Sequence, residues 1–273
     1  MAAVPDRHAL SFAYEEQLDR DPRWALSEGS RHFEENSAVF QALHKITKRL
    51  HDLGVPYAVV GGMALFQHGL RRFTEDVDIL VTKEGLKTIH DELDGLGYLP
   101  PHRRSKHLRD TALGVRIEFL TTGEYPGDGK EKPLRFPEPG AVSFEADGVS
   151  YIKLPNLVEL KLASGMTGLG RLKDLADVLE LIKLLNLPAD FAGQLNPFVR
   201  DKFLELRKQA CRRYVTLVRE AANRLEEMHK DGVTLESDGG DARLVTTDPE
   251  VARKYDMVEE SEFWVEEGDE LSP

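Results

Sequence analysis

Apolar residues recur with two different periods along this chain, and the change of period divides it. Within residues 35–53, Val39, Phe40, Leu43, Ile46, Leu50 and Leu53 fall at helical spacing, and Gly54 supplies a stop. Residues 57–60 are a short run of β-formers between Pro56 and Gly61. A glycine turn, a short helix and a second strand over 76–81 are expected next. Residues 84–96 then read as a helix ending at Gly97. Alternation returns at 115–121, where Val115, Ile117 and Phe119 share one face and Arg116, Glu118 and Leu120 the other. With 108–112 this predicts a hairpin turning near Leu113-Gly114, and the Asp147-Gly148 turn predicts another over 142–154.

From Pro155 the pattern is helical. One helix is expected to about Ser164, a second marked by Leu172, Leu175, Leu179 and Ile182, and a third over about 197–229. Residues 1–30 lack sustained periodicity and read as an extension with a loose helix around 15–26. Residues 123–140, rich in Pro and Gly, read as a loop, either a lid or a plain connection. The expected division is an extension over 1–30, a mixed α/β core over 31–154, a helical domain over 155–230 and an acidic, flexible tail over 231–273.

A chain of 273 residues has room for an ample core. Its longest apolar run, 57–66, is far too short to span a bilayer, so no membrane role is expected. Asp6 and Arg7 interrupt the place where a signal peptide needs its apolar core. The single cysteine, Cys211, forms no internal disulfide and reads as helical filler; a reducing cytoplasm is the expected location.

The net charge of −12 argues against nucleic acid only until it is located. Residues 225–273 hold 16 acids against 4 bases, whereas the rest of the chain balances. Asp238-Gly239-Gly240-Asp241 breaks that acidic segment, and Phe263-Trp264-Val265 is an apolar island, read as a local cluster or a docking peptide. Just before it, residues 200–224 carry 8 bases against 3 acids, with Lys208, Arg212 and Arg219 on one stripe. The stripe could track a phosphate backbone, face solvent or receive the tail. The run His102 to Arg109 is similarly open between a nucleotide contact and an exposed loop, and Lys45, Lys48 and Arg49 read as a solvated face.

The chemistry gathers at two spots. Gly61-Gly62 permits a tight turn that leaves backbone N–H groups unobstructed, a cradle for phosphate. In Asp76-Val77-Asp78 both carboxylates point to one face of a strand while Val77 and Ile79 point to the core. Like charges so placed repel, and a divalent cation relieves them; hard oxygen ligands suit magnesium. The plain alternative is an α/β core in which the two aspartates merely cap a sheet edge. Lys161 sits on a packing face, where it must snorkel out or meet an anion such as a triphosphate. Asp174 and Asp177 lie three apart beside Arg171 and Lys173.

Gly61-Gly62, the spacer 63–75 and Asp76-Val77-Asp78-Ile79 together resemble the signature of the nucleotidyltransferase superfamily, which includes DNA polymerase β and the antibiotic nucleotidyltransferases. Gly61-Gly62-x-Ala64-Leu65, Arg72-x-Thr74-x-Asp76-x-Asp78, Lys161 and Arg171-x-Lys173-Asp174-x-x-Asp177 are similar to the AbiEii/AbiGii toxins of type IV toxin–antitoxin systems. That resemblance spans about residues 55–185. It implies an α/β (α+β) fold, a nucleotidyltransferase core of mixed β-sheet flanked by helices and followed by a helical domain. It implies transfer of a nucleoside monophosphate from an NTP to an acceptor hydroxyl, with two magnesium ions on Asp76, Asp78 and Glu118. Glu118 stands where a strand beside the acid pair brings the third carboxylate; a plain Glu–Arg pair is the alternative. Gly61, Gly62, Arg72, Thr74, Lys161 and Asp174 would hold the nucleotide, Asp174 by orienting Lys161 or the acceptor. RNA, in particular tRNA, would be the acceptor, and a cognate antitoxin a partner.

Two other functions stand beside this one. A small-molecule enzyme of the aminoglycoside type would need an acidic pocket for a cationic drug, which Asp174, Asp177 or the tail could supply. A non-catalytic relative would bind only nucleotide or a partner protein, and the presence of all three acids weighs against it.

Overall fold

The computed structural model describes residues 13–102, 105–238 and 241–255, and the side chains of all but 212–221 and 235–243 among them. The chain forms two compact units, residues 1–208 and 209–273.

The first unit opens with α1 (Tyr14–Arg20) and α2 (Pro22–Phe33) where one loose helix was expected. Asp21 separates them: its side chain accepts from the N–H groups of Arg23 and Trp24, and Pro22 starts α2. Neither helix is loose. The Tyr14 hydroxyl donates to Glu28 Oε2 (3.2 Å), which also caps the N–H of Ala38 (2.9 Å), so the extension is bonded to α3 (Ala38–Asp52). Gly54, with φ of +65°, ends α3 as the pattern required.

The sheet follows. β1 (Tyr57–Val59) leads through α4 (Gly61–Gln67) to β2 (Asp76–Val81), then α5 (Lys83–Leu93), β3 (Tyr98–Leu99), β4 (His107–Asp110), β5 (Arg116–Thr121), the short α6 (Pro139–Val142), β6 (Ser143–Ala146) and β7 (Val149–Ile152). These seven strands form one mixed sheet in the order β3-β4-β5-β2-β1-β7-β6. β2 pairs in parallel with β5 and β1 with β7; the other neighbours are antiparallel. β3 and α6 are additions to the expected elements, each only a few residues long and so without a usable period.

In β2, Val77 and Ile79 are fully buried, as are Ile117 and Phe119 in β5. Burial of these two rows fixes the register, because a one-residue slip would turn every apolar side chain outward. The same register sets Asp76 beside Arg116 and Asp78 beside Glu118. After the sheet come α7 (Leu154–Thr167) and α8 (Leu172–Leu184), packed on each other, a 3-10 turn over 189–194, and α9 (Pro197–Lys230).

Residues 234–254, expected to be flexible, carry regular structure: the hairpin β8 (Thr234–Asp238) and β9 (Asp241–Val245), then α10 (Pro249–Lys254). Asp248 caps α10, and Lys254 and Tyr255 both bond Asp231 (2.5 and 2.6 Å), which local composition does not reveal. The island Phe263-Trp264-Val265 and the side chains of Arg212 and Arg219 lie outside the described residues. Among the described residues no helix is long and apolar enough to cross a membrane.

Candidate active site

At the end of β1 the chain turns sharply into α4. Gly61 adopts φ of +60°, and a Cβ there would overlap the Asp78 carboxylate. A Cβ on Gly62 would stand 2.6 Å from Thr74 Oγ1. The glycine pair therefore lets the first turn of α4 lie directly against the acids, and backbone N–H groups in such a turn have no intrahelical partner. The nine residues singled out by sequence, Gly61, Gly62, Arg72, Thr74, Asp76, Asp78, Glu118, Lys161 and Asp174, all border one cleft of about 590 Å³.

One carboxylate oxygen from each of Asp76, Asp78 and Glu118 lies within 4.8 Å of the others. Asp76 is held by its neighbours: Thr74 Oγ1 donates to Oδ1 (3.1 Å) and Arg116 Nη2 to Oδ2 (2.7 Å). Among the described residues no such donor serves Asp78, and its carboxyl is pushed up to about 7 by burial, then by the charges of Asp76 and Glu118. Three converging oxygen donors carrying mutual repulsion fit a hard divalent cation such as magnesium.

On the facing wall the two expected phosphate holders already have partners. Lys161 Nζ donates to Asp174 Oδ1 (2.9 Å) and Asp177 Oδ2 (2.7 Å), and Arg72 makes a two-pronged pair with Asp177 (2.9 and 3.1 Å). Ser164 and Arg171 complete the cluster on Asp174 Oδ2 (2.7 and 2.8 Å). Burial raises the Asp174 pKa, but the Lys161 charge and the hydrogen bonds from Lys161 and Ser164 outweigh it and hold it below the usual range. Lys161 thus meets its anion within the protein, an outcome that its position on a packing face allowed.

The basic run at 102–109 divides. Lys106 bonds Glu124 (2.5 and 2.6 Å) and Arg109 bonds Glu15 (2.6 and 2.9 Å); Arg103 and Arg104 lie outside the described residues. Of the run's described residues, Lys106 and His107 border the cleft, and His107 Nδ1 stands 3.8 Å from Glu118 Oε2. Lys45, expected in solvent, bonds the buried Asp110 (2.7 Å). The loop at 123–140 forms a wall of the cleft through Tyr125, Pro126, Gly127 and Phe136. Lys132 pins it, donating to Pro126 O (2.5 Å), Asp128 Oδ1 (2.6 Å) and Thr167 Oγ1 (3.1 Å). Sequence reasoning gave no site role to Arg116 and Ser164. Arg116 was legible, since it precedes Glu118 by two on one face; Ser164 was not, because its contact with Asp174 depends on how α7 and α8 pack.

The sequence model of a family described as "uncharacterised nucleotidyltransferase" matches residues 7–150. No curated protein matches the chain. Among solved structures, JHP933 from Helicobacter pylori is 17% identical, covers 68% of this chain and 96% of its own, and superposes with a TM-score of 0.37. The nucleotidyltransferase TM1012 from Thermotoga maritima, described as putative, is 19% identical over 54% of this chain and 91% of its own (TM-score 0.36). ANT(2")-Ia, solved in complex with adenylyl-2"-tobramycin, is 13% identical over 64% and 97% (TM-score 0.33). None of these three likenesses transfers chemistry to this chain.

Proposed function

The chain belongs to this nucleotidyltransferase family, and from that premise we propose that it moves a nucleoside monophosphate from an NTP to a hydroxyl of RNA. The observation that carries the reading is the convergence of Asp76, Asp78 and Glu118 beside the Gly61-Gly62 turn. These three carboxylates would hold divalent metal, two magnesium ions in full occupancy. Bound metal supplies charge neutralisation on the phosphoryl oxygens and lowers the pKa of a coordinated hydroxyl.

The chain's own residues do the rest. Gly61 and Gly62 bring backbone N–H groups to the phosphates without a side chain in the way. Thr74 and Arg116 fix the Asp76 carboxylate, and Glu118 accepts the proton of the attacking hydroxyl. Lys161 and Arg72 hold Asp174 and Asp177 in place and set the wall facing the acids. Positioning and electrostatics, rather than covalent chemistry, carry phosphoryl transfer of this kind.

RNA is favoured over a cationic drug by the charge of the rim. Asp174 and Asp177, the two acids that a cationic drug would need here, are already paired with Lys161, Arg72 and Arg171, while Lys173 stands exposed. The spacing Arg72-x-Thr74-x-Asp76-x-Asp78 with Lys161 and Asp174 supports a place near the AbiEii/AbiGii toxins, in the cytoplasm and with an antitoxin protein as partner. The test is incubation with magnesium, α-labelled NTPs and either total tRNA or an aminoglycoside panel. Labelled RNA is expected; labelled drug moves the acceptor to the resistance type, and no label on either overturns the proposal.

A further inference from the structure

A second cavity of about 350 Å³ also borders Asp76. Four residues border both it and the larger cleft: Thr74, Asp76, Arg116 and Lys173. Two of them are spoken for, since Thr74 and Arg116 each donate to Asp76. Lys173 differs. It is exposed, and among the described residues no carboxylate stands within ion-pair distance of it, although Arg171 and Lys161 close by are both paired. An ammonium group kept free at the meeting point of two cavities, next to a triad of acids, is placed to meet an anion that spans the junction.

In a nucleotidyl transfer one group must span such a junction, the α-phosphoryl that leaves one substrate for the other. Resting on the function proposed above, we propose that the NTP occupies the larger cleft, the acceptor enters by the smaller cavity, and Lys173 is the catalytic residue that holds the α-phosphoryl at the junction. The acceptor oxygen forms the new P–O bond there, the α–β anhydride bond breaks, and pyrophosphate departs with its electron pair into the larger cleft. The hydroxyl proton passes to Glu118 and on to solvent. The cleft is of a size that takes a nucleotide-sized ligand. The smaller cavity offers the exposed carboxylate of Glu75 to a hydroxyl of the acceptor, while Glu15, which also borders it, is engaged by Arg109.

Amine footprinting tests this without turnover. The full chain is trace-labelled with an amine-reactive reagent, with and without saturating magnesium and each NTP, and read by mass spectrometry. Binding of the NTP itself is measured in parallel by equilibrium dialysis. At least fivefold protection of Lys173 is expected, with none at the exposed Lys48, which sits on α3. Failure of every NTP to bind overturns this inference and the proposed function together. Binding without protection of Lys173 overturns the inference alone. A variant, Glu75→Arg, crowds the smaller cavity, whose lining includes Glu75 while that of the larger cleft does not: NTP binding is expected within twofold of wild type, and RNA labelling is expected to fall at least tenfold. Wild-type labelling, or lost NTP binding, overturns the assignment of the acceptor cavity.

Discussion

Asp177 and Arg72, separated by 105 positions in the chain, are joined by two hydrogen bonds of 2.9 and 3.1 Å. The pair ties α8 to the loop that delivers Asp76, and Lys161 shares the same aspartate. Asp177 is 4% exposed, so its charge is tolerable only with both cations present.

Removing that charge should be costly. Asp177→Asn leaves Arg72 and Lys161 facing each other with one carboxylate fewer, and a loss of about 3 kcal/mol is expected for a broken buried pair. Asp52→Asn is the control, since its pair with Lys48 is exposed and worth about 0.5 kcal/mol or less. Urea midpoints of the two variants decide: equal shifts would refute a structural role for the cluster.

The glycine turn gives a prediction about shape rather than charge. Gly61→Ala must place a methyl group into the Asp78 carboxylate at a positive φ. Loss of transfer is expected, together with a stability loss of at least about 1 kcal/mol. Gly29→Ala, within α2 and with no atom within 4 Å of its new Cβ, should instead stabilise by up to about 1 kcal/mol. Thermal melts of the pair check the contrast, and a stable, active Gly61→Ala protein would refute the close approach.

Asp78 carries a pH dependence whose sign follows from its raised pKa. The folded metal-free protein retains a proton on Asp78 up to about pH 7, whereas the unfolded chain releases it near its ordinary value of 3.8. The stability that this proton confers is present at low pH and is lost as pH rises towards 7. Asp78→Asn should remove that decline, raising the metal-free melting temperature at pH 8 by about 2–4 °C for each kcal/mol relieved. Asp76→Asn should show no such gain, because it deprives Arg116 of its partner. Both variants should lose transfer. Melts from pH 5 to 8 without metal, paired with transfer assays, test each part.

The site was legible where chemistry follows the strand period. Alternation put Asp76 and Asp78 on one face of β2, opposite Val77 and Ile79, and Glu118 opposite Ile117 and Phe119 in β5; that β5 lies beside β2 followed from the family resemblance and not from any local period. The partners of Lys161 were another matter. Asp174 and Asp177 could be named from their spacing, but that Asp177 turns to Arg72 depends on how α7 and α8 pack, and no local period encodes it. Two segments could not be resolved from sequence for the same reason: the run at 102–109 stood open between a nucleotide contact and an exposed loop, because Glu124 and Glu15, the partners of Lys106 and Arg109, lie far away in sequence. The acidic segment after 230 was read as flexible from its composition, which hides the Asp231 bonds to Lys254 and Tyr255.

His32 gives the last prediction. Its ring is fully buried among Phe33, Phe40, Phe66 and Phe73, with centroids 5.9, 5.3, 5.4 and 5.1 Å away. Nδ1 meets Ser37 Oγ (3.3 Å) and Nε2 meets the carbonyl of Arg72 (3.1 Å), so the imidazole supports the loop that carries Arg72. Burial lowers its pKa, with the Arg72 charge adding to it, and this outweighs the opposing bond to the Arg72 carbonyl and the charge of Glu28. His68 is lowered by burial as well, against its bond to the Ile152 carbonyl. The sign is the reverse of that for Asp78 as pH falls. Below about pH 6.5 the unfolded chain protonates these histidines while the folded protein resists, so stability present at neutral pH is lost on acidification. His32→Gln keeps a polar group in the cage but cannot take up the proton. Its urea midpoint should lie below wild type at pH 7.5 and fall less steeply between pH 7 and 5. His68 supplies the remaining slope, which His68→Gln should flatten in turn. Parallel pH profiles for wild type and His32→Gln would show that the buried imidazole is not the acid-sensitive group.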